Sequence, residues 1–304
     1  MVRALVTGAS GFAGPYLIRH LLQEGYEVVA GVRGSHAQLP KGCRPVNLDV
    51  TDREAVRRAI VEAQPGEVYH LAGLTRPASG AVNLFYYVNF GGALNLLEAV
   101  CEEAPETGVL LVGSAYAYGR VDRPIVETDP FEPVNHYGVS KAAVDLLGRS
   151  YALQGLRVIN VRPFNHSGPG QSPDFVLPTL VKQFADIRAG RCDPIVKLGN
   201  LDSMRDLSDV RDVVRTYHLA LQKGRSGEAY NVGSGREVSV RDLFELVCRE
   251  AGIEVELTVE PSRARATDIP YLVANTDKTR RELGWEAKIS LENTVRSMLE
   301  ATKH

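Results

Sequence analysis

The chain has 304 residues, 35 Lys and Arg against 37 Asp and Glu, and 44% apolar residues, the balance of a globular protein of about two domains. A formal charge of −2 builds no field for nucleic acid or an anionic membrane, so a phosphate-bearing ligand would have to be recognised locally. Apolar runs stay well below the roughly 18 residues of a spanning helix, the N-terminus enters a strand pattern without an apolar leader, and Cys43, Cys101, Cys192 and Cys248 form no CxxC, so the expectation is a cytoplasmic protein with neither disulfides nor metal.

The first half alternates short β-branched runs with helical patterns, which predicts α/β architecture with a doubly wound parallel sheet. Arg3 to Thr7 reads as a buried strand, Gly14 to Glu24 as a helix with Leu17, Ile18, Leu21 and Leu22 on one face, and Glu27 to Val32 as the second strand. Asp52 can cap a helix running to Gln64, Glu67 to Leu71 is a strand, Asn89 to Glu103 a helix and Val109 to Val112 a strand. A helix over Tyr137 to Leu153 and a strand over Arg157 to Val161 bring the expected number of parallel strands to five or six.

Beyond Arg162 the texture changes, with Pro163, Gly168-Pro169-Gly170, Pro173 and Pro178 crowded together. The predicted organisation is therefore a Rossmann-type dinucleotide domain over 1–163 and a smaller mixed α/β domain over 164–304, with segments around 207–235 returning to the first. A helix is expected near Thr179 to Ala189, a loop over Leu198 to Asp206, a helix after Asp209 and another starting at Ser239, where Asp242 can complete a capping box.

Gly8, Gly11 and Gly14 stand three residues apart between the first strand and the first helix. In that position Gly8 permits the turn, Gly11 lets the backbone approach a pyrophosphate, and Gly14 lets helix and strand pack closely, with the helix N-terminus facing the phosphates. A tight glycine turn without a ligand is the plain alternative. An NAD enzyme usually carries a carboxylate at the end of the second strand to accept from the ribose 2′-hydroxyl. Here that strand ends Val32-Arg33-Gly34-Ser35, so a cation stands where a 2′-phosphate would lie, and Ser35 or Ser10 can add a hydrogen bond. This favours NADP over NAD, the alternative being a solvated surface arginine. Asp49-Val50 is placed to meet the adenine edge, and Leu71-Ala72-Gly73 ends the strand beside the ligand crevice.

Tyr137 and Lys141 are four apart in a helical segment and project from one face. An ammonium beside a phenol stabilises the phenolate and lowers a reference pKa of about 10. A surface tyrosine with a solvated lysine is the alternative reading, and the pair gains weight from Ser114, 23 residues upstream at the end of a strand. The Ser114 hydroxyl can donate to a carbonyl oxygen that gains charge as hydride arrives, while Tyr137 delivers the proton.

As a set, the glycine loop, Ser114, Tyr137 and Lys141 resemble the short-chain dehydrogenase/reductase superfamily in its extended, nucleotide-sugar branch. The stretches Arg162-Pro163-Phe164-Asn165-His166, Leu198-Gly199-Asn200-Leu201 through Arg205-Asp206, and Arg265-Ala266-Thr267-Asp268 are similar to those of GDP-mannose 4,6-dehydratases and, more closely, of GDP-4-keto-6-deoxy-D-mannose reductases. The resemblance runs from Val2 to about Trp285. It implies NADPH bound by Gly8, Ser10, Gly11, Phe12, Gly14, Arg33, Asp49, Val50, Leu71, Ala72, Gly73, Asn89, Tyr137, Lys141, Phe164 and His166. It implies a GDP-sugar held by Ser114, Ala115, Asn165, Lys182, Asn200, Arg205, Arg265 and Asp268, with Arg205 and Arg265 on the diphosphate. An ion pair of Arg205 with Asp206 or Asp209 is the bland alternative.

Dehydratases carry an acid one or two places after the catalytic Ser or Thr, and this chain has Ala115 and Tyr116 there. The expected activity is therefore reduction of GDP-4-keto-6-deoxy-D-mannose to GDP-D-rhamnose. A nucleotide-sugar 4-epimerase with tightly held NAD, a dehydratase, and a non-catalytic dinucleotide sensor remain as alternatives. The resemblance further implies a homodimer through a four-helix bundle of the Asn89 and Tyr137 helices, with Val139, Ala143, Leu146 and Leu147 serving interface or core.

Overall fold

A computed structural model describes residues 1–34, 39–76, 80–260 and 269–302. The first half contains β1 (Arg3–Thr7), α1 (Gly14–Gln23), β2 (Glu27–Val32), β3 (Arg44–Asn47), α2 (Arg53–Ala63) and β4 (Glu67–His70). A π-helical turn over Phe85–Gly91 leads into α3 (Gly92–Glu103), followed by β5 (Gly108–Val112), a 3-10 turn over Ala115–Ala117, α4 (His136–Leu153) and β6 (Val158–Pro163). The second half contains β7 (Asn165–Ser167), α5 (Val176–Arg188), β8 (Ile195–Leu198), β9 (Met204–Asp209), α6 (Val210–Lys223) and β10 (Ala229–Val232). It ends with β11 (Glu237–Ser239), α7 (Val240–Ala251), β12 (Glu256–Val259), β13 (Tyr271–Leu272), α8 (Asp277–Leu283) and α9 (Leu291–Ala301).

Seven strands form one parallel sheet in the order β10-β6-β5-β4-β1-β2-β3, the doubly wound arrangement expected from the alternation. One face is covered by α1 and α6, whose Leu17, Ile18, Leu21, Val213, Val214 and Tyr217 share a core with Trp285. The other is covered by α2 and α3 through Val56, Ile60, Leu96 and Leu97. A second core, built from α5, α7 and α9 around Phe184, Leu243 and Val295, supports the small sheets in which β9 pairs with β7, β11 and β13.

Strand β3 was not foreseen. It sits at the sheet edge, where Pro45 leaves no inner hydrogen bond missing, and its exposed residues carry no apolar signal. The loop expected over Leu198 to Asp206 also needs correction, because β9 begins at Met204 and runs to Asp209. Its buried Asp206, Ser208 and Asp209 break the apolar pattern by which strands are recognised. Asp206 is instead satisfied by the main-chain N–H groups of Ser234, Gly235 and Ala274. Helix α5 starts before the expected Thr179, since Pro178 lies in its first turn, where a missing N–H costs little.

The C-terminal segment is tied to the main sheet by Asp212 of α6, whose Oδ2 accepts from the main-chain N–H of Lys288 at 2.8 Å and of Ile289 at 2.7 Å. Replacing Asp212 by Ala leaves both donors without this acceptor and is expected to cost about 2–3 kcal/mol. A lower urea midpoint with unchanged dinucleotide affinity is the predicted result.

Candidate active site

The carboxyl ends of β1, β4 and β5 open onto one crevice, and the loops leaving them carry most of the motif residues. Gly8 has φ +67°, and a Cβ there would lie 2.6 Å from the main-chain N of Ala72, so the glycine turn packs directly on Leu71 and Ala72. A Cβ on Gly14 would meet the Ala9 carbonyl oxygen at 2.3 Å, which explains how closely α1 approaches the loop. No side chain caps the start of α1 and no acid lies in its first turn. The N-terminal N–H groups and helix dipole therefore suit an anionic ligand, and the glycine cradle fits a dinucleotide diphosphate.

Arg33 lies exposed just after β2, with Nη1 3.8 Å from Asp49 Oδ2. Asp49 also accepts from the Thr51 N–H and hydroxyl, and these hydrogen bonds hold its carboxyl below the usual range. Ser10 is exposed on the glycine loop, and the Phe12 ring stacks on that of His166 at 6.0 Å. The side chains of Val50 and Phe164 are buried, Val50 in the core against Gly92 and Phe164 stacked on Tyr118. Ser35, Arg265 and Asp268 lie outside the described residues.

Ser114 caps the short turn after β5, its Oγ accepting from the Tyr116 N–H at 3.2 Å. Its hydroxyl lies beside the Tyr137 phenol, which projects from the first turn of α4. Burial pushes Tyr137 up to about 12, with the neighbouring Ser114 hydroxyl working against the rise. Lys141 lies one turn further along and donates to the Val112 carbonyl at 2.8 Å. Desolvation brings its ammonium down to about 8.

Asn89 leaves the π-helical turn to bridge two walls. Its amide binds the N–H and carbonyl of Leu74 and donates to the Ser140 hydroxyl at 2.9 Å. Gly73 is held between them, where a Cβ would stand 3.1 Å from Asn89 Oδ1 and 3.3 Å from Lys141 Nζ. Buried His70 contacts the Thr7 hydroxyl at 2.9 Å, and desolvation brings it down to about 3, so it is neutral.

A cleft of about 370 Å³ extends from Tyr116 into the second half, lined among others by Asn165, His166, Gln171, Lys197 and Arg205. Asn165 Oδ1 is buried without a hydrogen-bond partner, an acceptor ready for a ligand. His166 Nδ1 pairs with the Phe164 carbonyl, which makes it the donor and leaves Nε2 as an acceptor, and burial lowers the ring's pKa. Arg205 lines the cleft and donates to the Met204 carbonyl. Asp206 and Asp209 are engaged elsewhere, Asp209 by Arg211 and Thr294. Asn200 lies at the cleft's exposed side.

Lys182 does not join this cleft. It pairs with Asp186 and faces a separate hollow with Pro169, Arg191 and Met298. The inward face of α5 is set by Leu177, Leu180, Val181 and Phe184, which turns position 182 outward. Ala115 is buried, whereas Tyr116 lines the cleft and meets the Tyr137 ring edge-on at 5.9 Å. From sequence, Tyr116 had signified only a missing acid, although its place two residues after Ser114 marked it as a wall residue. Gln171, Lys197 and Asp174 were not singled out, because nothing local in the chain announces a wall assembled from distant segments.

The family model for GDP-mannose 4,6-dehydratase matches residues 5–298. The chain is 32% identical to the GDP-6-deoxy-D-mannose reductase of Pseudomonas aeruginosa, over 98% of this chain and 96% of that protein. It is 31% identical to the GDP-6-deoxy-D-talose 4-dehydrogenase of Aggregatibacter actinomycetemcomitans, over 98% and 96%. Among solved structures, RMD from Pseudomonas aeruginosa complexed with NADPH superposes with a TM-score of 0.88 at 30% identity, covering 100% of this chain and 99% of that one.

Proposed function

The chain belongs to the GDP-mannose 4,6-dehydratase family, within the extended short-chain dehydrogenases/reductases, and from that membership we propose that it reduces the C4 keto group of GDP-4-keto-6-deoxy-D-mannose to GDP-D-rhamnose. The observation that carries the reading is the Ser114 hydroxyl standing beside the Tyr137 phenol with no carboxylate at positions 115 and 116. A 4,6-elimination lacks an acid there, whereas a carbonyl reduction needs only hydroxyl donors. NADPH supplies the hydride to C4. Ser114 and Tyr137 hydrogen-bond the carbonyl oxygen, and the Tyr137 proton passes to that oxygen as the hydride arrives, leaving an alcohol.

The glycine loop, Arg33 and Asp49 hold the adenosine half of the dinucleotide in this reading, while Lys141 and Asn89 serve its nicotinamide end. Asn165, Asn200 and Arg205 of the cleft belong to the sugar-nucleotide side, to which the family resemblance adds Arg265 and Asp268, and Lys182 drops out with its outward position. Incubation with NADPH and the keto sugar tests the assignment. Loss of nicotinamide absorbance with formation of the rhamno product is expected, and no oxidation with either NADPH or NADH would overturn it. An epimerase would instead carry its dinucleotide through dialysis.

Arg33 supplies a second prediction. Replacing it by Asp removes the cation proposed for the 2′-phosphate and should weaken NADPH by about tenfold to a hundredfold, the worth of a charged hydrogen bond, while sparing NADH. Unchanged preference would assign the phosphate elsewhere.

The reading includes a cytoplasmic homodimer. All four cysteines are free thiols, and among the described residues no helix is long and apolar enough to cross a membrane. Val139, Leu146 and Leu153 of α4 and Tyr87 beside it are exposed apolar side chains, while Leu147 packs into the core. Sedimentation showing only monomer would refute the dimer.

A further inference from the structure

One buried cation joins the segments that carry the proposed reacting groups. On α4, Tyr137, Lys141 and Asp145 follow at four-residue spacing and so share one face. Asp145 takes both arms of a fork from Arg162 of β6, Nε to Oδ2 at 2.7 Å and Nη2 to Oδ1 at 2.8 Å. The guanidinium's remaining edge turns the other way. Its Nη1 donates to the Tyr118 hydroxyl at 2.6 Å and to the Glu127 carbonyl at 2.8 Å. Its Cζ also lies 5.0 Å from the centroid of the Tyr118 ring and 4.6 Å from that of Phe131, two rings that neighbour each other.

Tyr118 closes the same turn that Ser114 opens, and its hydroxyl donates to Asn231 of β10 at 2.7 Å. The pair lies directly against the end of β5, where a Cβ on Gly113 would meet Arg162 Cγ at 3.6 Å and Asp145 Oδ2 at 3.7 Å. Arg162 and Asp145 are both almost wholly buried. A buried ion pair generally stabilises a fold no better than well-packed apolar side chains of the same volume, so its use here asks for a role other than stability.

We propose that Arg162 is a positioning residue: by clamping α4 to the turn after β5, it sets the reach between the Ser114 hydroxyl and the Tyr137 phenol. The lever is the helix itself. Asp145 lies eight residues beyond Tyr137, roughly 12 Å along the axis, so a tilt of about 5° at the clamp moves the phenol by about 1 Å. Misplacement on that scale costs about a hundredfold in rate.

The decisive variant replaces the pair by apolar residues, Asp145→Leu with Arg162→Met, which avoids leaving either charge buried alone. It is expected to unfold at a urea midpoint at or above the wild type while kcat falls about a hundredfold, with KM for NADPH and keto sugar within about threefold. The charge-conserving Arg162→Lys, which keeps a cation but loses the planar fork, should show the same split between kcat and KM. Wild-type kcat in either folded variant would overturn the proposal. The rate measurement rests on the reductase reading; a crystal structure of a folded variant does not. A Tyr137 phenol drawn away from Ser114 relative to the wild type supports the clamp whatever the substrate, and an unchanged separation overturns it. An inactive wild type would count against the substrate assignment alone.

Discussion

Replacing Tyr137 by Phe is expected to lower keto-sugar reduction by about a thousandfold or more while changing NADPH affinity by less than about threefold. The ring's neighbours survive the substitution, Phe85 at 6.1 Å and Tyr116 at 5.9 Å between centroids, so the variant removes one hydroxyl and little packing. What disappears is the proton donor and the partner of Ser114. Retention of full turnover would mean that another group protonates the oxygen. The pH profile separates Tyr137 from Lys141. Because burial holds the phenol near 12, Tyr137 stays protonated as a reduction requires across the neutral range. Lys141 is displaced the other way, and a lowered ammonium sheds its proton early, so activity that needs its charge declines as pH rises through about 8. Rates measured from neutral to alkaline pH should show that limb in the wild type, and Lys141→Met should lack it along with most of the activity.

Gly14→Ala is expected to cost about 2–3 kcal/mol and to weaken NADPH by more than about tenfold. The added methyl would stand 2.3 Å from the Ala9 carbonyl oxygen, 2.6 Å from its carbon and 2.8 Å from Cα. These are main-chain atoms inside the turn, so relief comes only by moving α1 away from β1. That shift carries the helix N-terminus off the phosphates. Gly11→Ala separates the two effects: its methyl would meet only the Gly8 oxygen, at 3.1 Å, and points at space a ligand would need. Weakened binding with nearly unchanged thermal unfolding is expected there. Normal NADPH affinity in Gly14→Ala would remove the helix terminus from the binding reading.

The alternation of β-branched runs and amphipathic helices was enough to read the parallel sheet, because each buried strand and each helix face carries its own period. Where that period fails, so does the reading. The Arg44–Asn47 edge strand is exposed and contains Pro45, and β9 buries Asp206, which is satisfied by main chain from residues 234, 235 and 274. At the site, Gly8, Gly14, Ser114 and Tyr137 were legible because local spacing brings each to a strand end or helix start. The cleft wall joins Asn165 of β7, Lys197 of β8 and Arg205 of β9 to Gln171, distant segments that no local pattern links, so Asn165 and Arg205 came only through the resemblance and Gln171 and Lys197 not at all. Lys182 shows the limit from the other side: a basic residue in the right stretch, turned outward by helix phase.

The return of α6, β10 and Trp285 to the first sheet bears on how the chain must fold during synthesis. One face of that sheet is packed by Val210, Val213, Tyr217, Tyr230, Leu283 and Trp285. A nascent chain that has emerged only to Pro163 therefore holds six of the seven strands, with an unpaired β6 edge and much of one apolar face bare. Sealing the dinucleotide half waits on residues near the far end of the polypeptide. A stop codon between Pro163 and Val210 is thus expected to release an aggregation-prone sheet rather than a half-sized cofactor-binding protein.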